Sequence, residues 1–287
     1  FRQILLIAAE SGLLKIGRVS IDGTKVRANA SKHHAMSYDH AGKLERRIKN
    51  EIDRLLRQAE KADQADLPDG MDIPQELARR ETRLQAIADA KERIRAREEQ
   101  RLAQERAAYD QKVAQRESHV KRTGKQLKGR KPKRPSRAIN PKAQINLTDE
   151  ESRIMPTGDG FVQAYNAQAA VDCDSRLLVD VAVSQRPVDR TLLEPAVTRL
   201  AMLPAEFGNV SEVLADAGYY SATNVAICVR LGITPYISAG RERHAGGLQR
   251  FREPAALRTD ATLQEQMRHR LRTKAGRAIY GQRKSTI

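Results

Sequence analysis

The sequence has few cysteines and no long apolar run, and each absence excludes a class of protein. Its 287 residues include two cysteines, Cys173 and Cys228, which are too few for a disulfide framework. Neither belongs to a CxxC or His-flanked pattern of the kind that binds zinc. No segment approaches the ~18 uninterrupted apolar residues that a membrane span needs. We therefore expect a soluble chain in a reducing, intracellular compartment.

The two ends of the chain also lack expected features. It begins at Phe1, without an initiator Met and without the basic-then-apolar segment of a secretory signal. It stops at Ile287, directly after a patterned basic run. We interpret both ends as cut, so that the chain is part of a longer protein.

The charge of the chain is large and unevenly distributed. The formal net charge is +16. Residues 1–40 carry +3, residues 41–140 carry +10, residues 141–240 carry −5 and residues 241–287 carry +8. Basic segments attract a polyanion, because each phosphate contact releases condensed counterions. The acidic centre between them is where cations could bind directly.

Residues 41–120 have the pattern of a helical hairpin. One apolar stripe at helical spacing runs from Leu44 to Ala59, and a second begins near Pro74 and continues through Leu102. A Pro- and Gly-containing turn at residues 65–70 separates them. The pattern predicts an antiparallel coiled-coil insertion. Two interpretations stay open, a solvated spacer without a ligand and an arm that contacts DNA or dimerises.

Residues 121–150 are predicted to be a basic, flexible linker. Residues 121–140 contain no acid and almost no apolar side chain, so they cannot bury themselves. The interpretations are a tether that follows phosphates and a plain linker. The candidate phosphate contacts are Lys121, Arg122, Lys125, Lys128, Arg130, Lys131, Lys133, Arg134 and Arg137.

The remaining residues, 1–40 and 151–287, have an α/β pattern that predicts one mixed sheet wrapped by helices. Residues 17–23 are predicted to form a strand that ends at Asp22, before an Asp-Gly turn signal. Further strands are expected at residues 161–171, 177–183 and 233–237, and one more that ends at Asp216. Two cap predictions accompany them. Asp189 or Thr191 is predicted to cap one helix, and Ser221 the next.

Asp22 and Asp216 are the candidate site residues, because both are predicted where a strand meets a glycine-containing turn. That edge of an open α/β sheet is where ligands gather. Two acids brought together there repel unless a cation binds between them, and Mg²⁺ prefers such oxygen ligands. Taken singly, each Asp has the simpler interpretation of a turn or cap residue. The sequence alone does not say whether they meet.

Four blocks of the sequence resemble a DDE transposase of the bacterial insertion-sequence type. They are residues 19–31 (VSIDGTKVRANAS), 165–172 (YNAQAAVD), 214–221 (LADAGYYS) and 276–287 (GRAIYGQRKSTI), in the order of that family. The resemblance implies a ribonuclease-H-like catalytic core interrupted by the helical hairpin. Within it, Asp22 matches the first catalytic acid and Asp216 the second.

The resemblance also implies a third acid. Tyr280 and Arg283 match the Tyr and Arg that precede a Glu on the last helix of the family, but the chain ends at Ile287 before that Glu. We therefore expect an incomplete site and no catalytic activity in the chain as it stands.

In a complete protein the resemblance implies cleavage and strand transfer at the ends of an insertion sequence. Two Mg²⁺ or Mn²⁺ ions would be held by the acids. The implied partners are double-stranded DNA and further copies of the chain, in the nucleoid of a bacterial cytoplasm. Besides residues 121–137, the DNA-contact candidates are Lys25, Arg277, Tyr280, Arg283 and Lys284. The competing interpretation is a non-catalytic, basic, helical protein that binds DNA or shapes it.

Other polar residues receive no catalytic role. Asp172, Asp180 and Asp189 are interpreted as a turn, a surface and a cap residue. No histidines share one element at ligand spacing, and neither Ser20 nor the cysteines have an adjacent base in the sequence.

Overall fold

The computed structural model describes residues 1–62, 72–127, 129–240 and 252–287. The chain divides into two compact units. The first consists of Phe1–Ala28 with Ser152–Ile287, and the second of Asn29–Glu151. The predicted turn at residues 65–70 and the predicted DNA contact Lys128 lie outside the described residues.

Helices and strands of both units are numbered along the chain. The strands are β1 (Ile16–Arg27), β2 (Ala35–Ser37), β3 (Gln144–Asn146), β4 (Arg153–Thr157), β5 (Gly160–Asp172), β6 (Leu178–Ser184), β7 (Gly208–Ala215) and β8 (Thr234–Ile237). The α-helices are α1 (Arg2–Glu10), α2 (Tyr38–Ala62), α3 (Ile73–Thr123), α4 (Leu193–Ala201), α5 (Ala222–Arg230), α6 (Leu263–Arg272), α7 (Lys274–Gly281) and α8 (Arg283–Thr286). Short 3₁₀ turns lie at Lys32–His34, Asp189–Thr191, Ala205–Phe207 and Ala217–Tyr219.

The first unit is built on a mixed six-stranded sheet. Its order is β4-β5-β1-β7-β8, and β6 also pairs with β5. β1 runs antiparallel to β5 and parallel to β7, and β7 runs parallel to β8. The predicted α/β class, with a mixed sheet and flanking helices, is therefore confirmed.

Both faces of this sheet are covered because its central strands alternate between two cores. Val213 and Ala215 of β7 are fully buried in a cluster that includes Leu193 of α4 and Val225 of α5. Leu214, between them, packs in a second cluster with residues of α6 and α7. Such near-continuous burial is typical of a parallel strand covered on both sides. The ends of β1 and β7 are thereby fixed relative to each other.

The second unit contains the helical hairpin and a small two-stranded sheet of β2 and β3. Ile48 of α2 and Ile87 of α3 are each 2% exposed and share one core cluster. Ion pairs join Glu45 to Lys91 and Glu51 to Arg80, so the helices run antiparallel. α3 ends at Thr123, where Gly124 adopts a left-handed φ of 68° and its N–H donates to the carbonyl of Val120.

The prediction that the first strand ends at Asp22 is wrong. β1 continues to Arg27, because the long strand β5 pairs with it as far as Arg27 and Ala164. Gly23 therefore lies within a strand and not in an Asp-Gly turn. A Cβ at Gly23 would overlap the side-chain amide of Gln168, which crosses β1 at this residue. A glycine at this position lets the side chain of Gln168 approach the backbone of β1 closely.

The two cap predictions have different outcomes. Ser221 caps α5, since its side chain accepts a hydrogen bond from the N–H of Asn224, as predicted. The prediction that Asp189 or Thr191 caps the preceding helix is wrong. The N-cap of α4 is Leu192, without a side-chain hydrogen bond, because a 3₁₀ turn containing Asp189 and Thr191 precedes the helix.

Candidate functional site

The register of β1 and β7 brings Asp22 and Asp216 together. The last pair of the parallel ladder is Ile21 with Ala215; Asp22 is the next residue of β1, and Asp216 directly follows the end of β7. Neighbouring strands lie about 4.8 Å apart. Ser20 of β1 is paired with Leu214 of β7, and each aspartate lies two residues after one of them. Because side chains alternate between the two faces along a strand, both aspartates belong to the same face of the sheet. The two aspartates thus lie at adjacent positions, where the ladder between β1 and β7 ends.

Asp22 is held by a backbone amide and by a guanidinium group. Its Oδ1 accepts a hydrogen bond of 2.8 Å from the N–H of Gly23. Its Oδ2 accepts one of 2.6 Å from Arg283, and the pair is a partly buried salt bridge. The Nε of Arg283 is buried and has no hydrogen-bond partner among the described residues. The cation beside Asp22 is therefore a side chain of the chain itself.

Asp216 is the N-cap of the 3₁₀ turn that follows β7. Its Oδ1 accepts a hydrogen bond of 2.8 Å from the N–H of Gly218. The hydroxyl of Tyr280 donates to the carbonyl of Ala215, 3.3 Å away, directly before Asp216. Burial raises the pKa of Tyr280 and outweighs the positive charge of Arg283, which lowers it; the charges of Asp216 and Asp22 raise it by less. Tyr280 of α7 thus lies next to the residue before Asp216, and Arg283 of α8 is paired with Asp22.

A buried polar network lies beside the site. The hydroxyl of Tyr219 donates to Oε1 of Gln168 over 2.5 Å, and Tyr219 is 1% exposed. The amide of Gln168 donates to Asn166 over 2.9 Å and to Oδ1 of Asp189 over 3.3 Å. The same Oδ1 accepts from Asn166 over 2.7 Å and from Lys25 over 3.1 Å. This network fixes the turn that carries Asp216, because Tyr219 belongs to that turn.

Asp189 is a third carboxylate of this region. A Cβ at Gly218 would lie 3.0 Å from Oδ1 of Asp216 and 3.6 Å from Oδ2 of Asp189, so both acids border the same glycine. Burial raises the pKa of Tyr219, and the charges of Asp189, Asp22 and Asp216 raise it too. Sequence reasoning interpreted Asp189 as a cap. Its main contact, Lys25, is 164 residues away along the chain, and no local signal marks it.

Two comparisons with known proteins found no match to the chain. No protein-family model matches the chain. No curated protein matches it either.

Asp22 and Asp216 are the residues that could hold a divalent cation. Within the described ranges, no group of three or more His, Cys, Asp or Glu side chains has the arrangement of a metal site. The described helices also include none long and apolar enough to cross a membrane. Two carboxylates and an adjacent guanidinium can bind a hard cation or, through the arginine, a phosphate.

The predicted DNA contacts fall into two groups. In the first unit, Lys25 and Arg283 are ion-paired with Asp189 and Asp22, Arg277 donates to the carbonyl of Arg272, and Lys284 is exposed. In the second unit, the described candidates are all exposed: Lys121, Arg122, Lys125, Arg130, Lys131, Lys133, Arg134 and Arg137.

Proposed function

We propose that the chain carries the catalytic core of a DDE transposase of the bacterial insertion-sequence type. For a complete enzyme of this kind, with all three acids, the substrate is double-stranded DNA and the reaction is phosphodiester cleavage followed by strand transfer. The observation that carries the proposal is the register of Ile21 with Ala215, which leaves Asp22 and Asp216 side by side. Assembly of several copies on DNA, in the nucleoid of a bacterial cytoplasm, belongs to the same proposal.

The sheet supports a ribonuclease-H-like fold. Three strands, β6, β5 and β1, are antiparallel neighbours, and β7 and β8 then add parallel to β1. Helix α4 connects β6 to β7, and α5 connects β7 to β8. The first acid lies on the central strand and the second directly after its parallel neighbour. This arrangement supports the ribonuclease-H-like core that the resemblance of the four sequence blocks implies.

The residues of the site fit Mg²⁺ or Mn²⁺. Asp22 and Asp216 supply hard oxygen donors at adjacent positions, and the guanidinium of Arg283 already occupies the position of a cation beside Asp22. Two metal ions bound at these acids would act as Lewis acids and stabilise the entering and leaving oxygens of a phosphodiester. Arg283, once displaced from Asp22, can donate to a phosphate oxygen. The polar network behind Tyr219 keeps the turn with Asp216 in place.

Binding of Mn²⁺ to the purified chain tests the metal part of the proposal. Free Mn²⁺ is measured by electron paramagnetic resonance for the wild-type chain and for Asp22→Asn, Asp216→Asn and Asp174→Asn. Asp174 is an exposed acid of the same unit and serves as the matched control. We expect each site variant to weaken binding by at least about tenfold, since each removes a charged ligand, and the control to bind as wild type. Equal affinities in all four proteins would contradict the proposal.

The DNA part is tested with Fe²⁺ as a cleavage probe. Iron bound at the carboxylates, supplied with ascorbate and peroxide, generates radicals that cut DNA within reach. We expect localised cuts in a bound duplex with the wild-type chain and with Asp174→Asn, and their loss with Asp22→Asn and Asp216→Asn. Cuts that persist unchanged in both site variants would show that the duplex does not lie at these acids.

A non-catalytic DNA-binding protein is the second candidate function. The exposed basic residues of the second unit favour it, because they need no metal to bind phosphate. Duplex binding without Mn²⁺ binding would favour this candidate over the first.

A further inference from the structure

The chain after α3 folds back along the helix. We call residues 121–127 and 129–137 the basic ribbon. The guanidinium of Arg116 donates to the backbone carbonyls of Leu127 at 2.9 Å, Gly129 at 3.2 Å and Arg130 at 3.3 Å. These carbonyls lie 11 to 14 residues further along the chain than Arg116, so the ribbon runs back past a position within the helix.

A second anchor lies beyond the end of the basic ribbon. Glu98 of α3 is 8% exposed and accepts a hydrogen bond of 3.2 Å from the N–H of Asn140. Since Glu98 precedes Arg116 by five turns of helix, the chain between the two anchors runs in the direction opposite to α3. Backbone donors and acceptors, and not the basic side chains, make these attachments.

Side chains of the basic ribbon and of α3 line two surface hollows in common. Leu127 and Pro132 line a surface hollow together with Val113 and Tyr109 of α3. Pro135 lines a second hollow, which Tyr109 also borders. The two prolines restrict the backbone of the ribbon and reduce the entropy that is lost when it is ordered. The ribbon therefore borders α3 at both hollows, and its basic residues Lys131 and Arg134 line them as well.

The charges of the basic ribbon are not neutralised within the chain. Eight basic side chains of α2 and α3 form ion pairs with acids of the same unit: Lys43, Arg47, Lys49, Arg79, Arg80, Lys91, Arg93 and Arg101. Among the described residues, none of the eight lysines and arginines of the ribbon has an acidic partner, and all eight are exposed. The positive electrostatic potentials of these eight side chains add along one segment of the chain.

The composition of the basic ribbon favours a duplex over a single strand. Residues 121–137 contain no aromatic side chain, and single-stranded nucleic acids are bound through stacking of their bases on aromatic rings. Stable attachment to a membrane takes apolar insertion in addition to basic side chains, whereas the described ribbon after Thr123 is not helical and so forms no amphipathic helix. Phosphates on the outside of a double helix are the remaining match.

We propose that the basic ribbon is a preformed tract for the phosphate backbone of double-stranded DNA, held in its bound shape by Arg116. The choice of DNA rests on the proposed function. The surface itself rests on the second unit alone. Because the ribbon is ordered before the partner arrives, less conformational entropy is lost on binding.

Duplex binding at several salt concentrations tests the surface. A fluorescent 30-base-pair DNA is titrated with the wild-type chain and with the triple variant Lys131→Gln, Lys133→Gln, Arg134→Gln. The matched control is Arg46→Gln, Arg54→Gln, Arg57→Gln, which removes the same charge from exposed positions of α2. We expect the ribbon variant to weaken binding roughly tenfold or more near 0.1 M salt. Its double-logarithmic salt slope should fall by about 2.7, corresponding to three lost phosphate contacts. The control should retain the wild-type slope.

Arg116→Lys tests whether Arg116 positions the basic ribbon. The substitution keeps the charge but loses the planar fork that reaches three carbonyls. We expect unchanged helix content by circular dichroism, severalfold faster tryptic cleavage within residues 121–137, and severalfold weaker duplex binding with the wild-type salt slope. Wild-type affinity and wild-type cleavage rates would refute the role of Arg116.

Several results would overturn the proposal of a duplex tract. They are equal losses in the ribbon and control triples, tighter binding of single-stranded DNA or double-stranded RNA than of duplex DNA, and ribbon-dependent binding to anionic vesicles instead of DNA.

The two proposals can fail separately. Loss of Mn²⁺ binding in the Asp22 and Asp216 variants with no effect of the ribbon triple leaves the proposed function and removes this inference. The reverse result removes the proposed function and leaves the tract.

Discussion

The basic side chains near the candidate site and those of the basic ribbon differ in their partners. In the first unit Arg283 pairs with Asp22, Lys25 with Asp189 and Arg18 with Glu212. In the ribbon, no described lysine or arginine has an acidic partner. Lys25, Arg283 and the basic residues of the ribbon all carry positive charge, and the sequence predicted the same role in binding DNA for all of them.

The difference separates two uses of positive charge. A cation in a partly buried pair fixes the position of an acid and loses much of its attraction for an external anion. An exposed, unpaired tract keeps that attraction, although salt screens it. The cations of the site therefore organise carboxylates, whereas those of the basic ribbon are available to a partner. The predictions below test each side of this comparison.

The largest effect is expected for Gly23→Ala. The new Cβ would overlap the amide of Gln168 and displace the network around Asp189. We expect the free energy of unfolding of the first unit to fall by about 1–3 kcal/mol, as for other overpacked interiors, measured by urea unfolding. Gly158→Ala is the control, since a Cβ there meets no atom within 4 Å. Equal stabilities of the two variants would show that the network does not require the glycine.

An intermediate effect is expected for Arg283→Gln. Removing the guanidinium frees Oδ2 of Asp22 and lowers the positive potential at the site. We expect Mn²⁺ affinity to rise by about tenfold, or ~1.4 kcal/mol. Arg130→Gln, which removes an unpaired charge of the basic ribbon, should leave the affinity unchanged. If Arg283→Gln weakens Mn²⁺ binding, the arginine does not compete with a cation for Asp22.

The smallest effect concerns the ion-paired part of the hairpin. Hydrogen bonds from Lys49 and Lys91 lower the pKa of Glu45 from its ordinary 4.5 to about 2. A lowered pKa in the folded state stabilises the fold above pH 4.5, and this stabilisation is lost as the pH falls toward about 2. We expect Glu45→Gln to be less stable than wild type at pH 7, by about 0.5 kcal/mol, and nearly equal to it at pH 2. Helix unfolding followed by circular dichroism at both pH values measures the gap.

Glu60→Gln provides the control for that comparison, because Glu60 is an exposed acid of the same helix. A gap for Glu45→Gln that is the same at both pH values would contradict the assignment of the stabilisation to these two lysines.

Local patterns predicted much of the fold. Alternating apolar residues predicted strands of the sheet, helical stripes predicted α2 and α3, and Ser221 was predicted to cap α5. Apolar runs that stop at an acid also predicted strands ending at Asp22 and at Asp216, and this was right for β7, which ends directly before Asp216, and wrong for β1, which continues to Arg27. These features depend on neighbours within a few residues.

Long-range contacts could not be predicted in the same way. Asp-Gly at residues 22 and 23 has the signature of a turn, but pairing with β5 keeps both residues in a strand. Arg283 pairs with Asp22, which lies 261 residues earlier in the chain. No pattern in the sequence distinguishes Arg283 from the other basic residues as the partner of Asp22. Arg116 binds backbone carbonyls, which leave no mark in a sequence.

The central claim is that Asp22 and Asp216 share one divalent cation, and a double-mutant cycle on Mn²⁺ affinity tests it most directly. The cycle compares the wild-type chain, Asp22→Asn, Asp216→Asn and the double variant. Ligands of one ion are strongly coupled. We predict that each single substitution costs about tenfold or more in affinity and that the double variant binds little worse than either single one. Losses that multiply independently would mean that the two carboxylates do not hold the same ion, and would contradict the account.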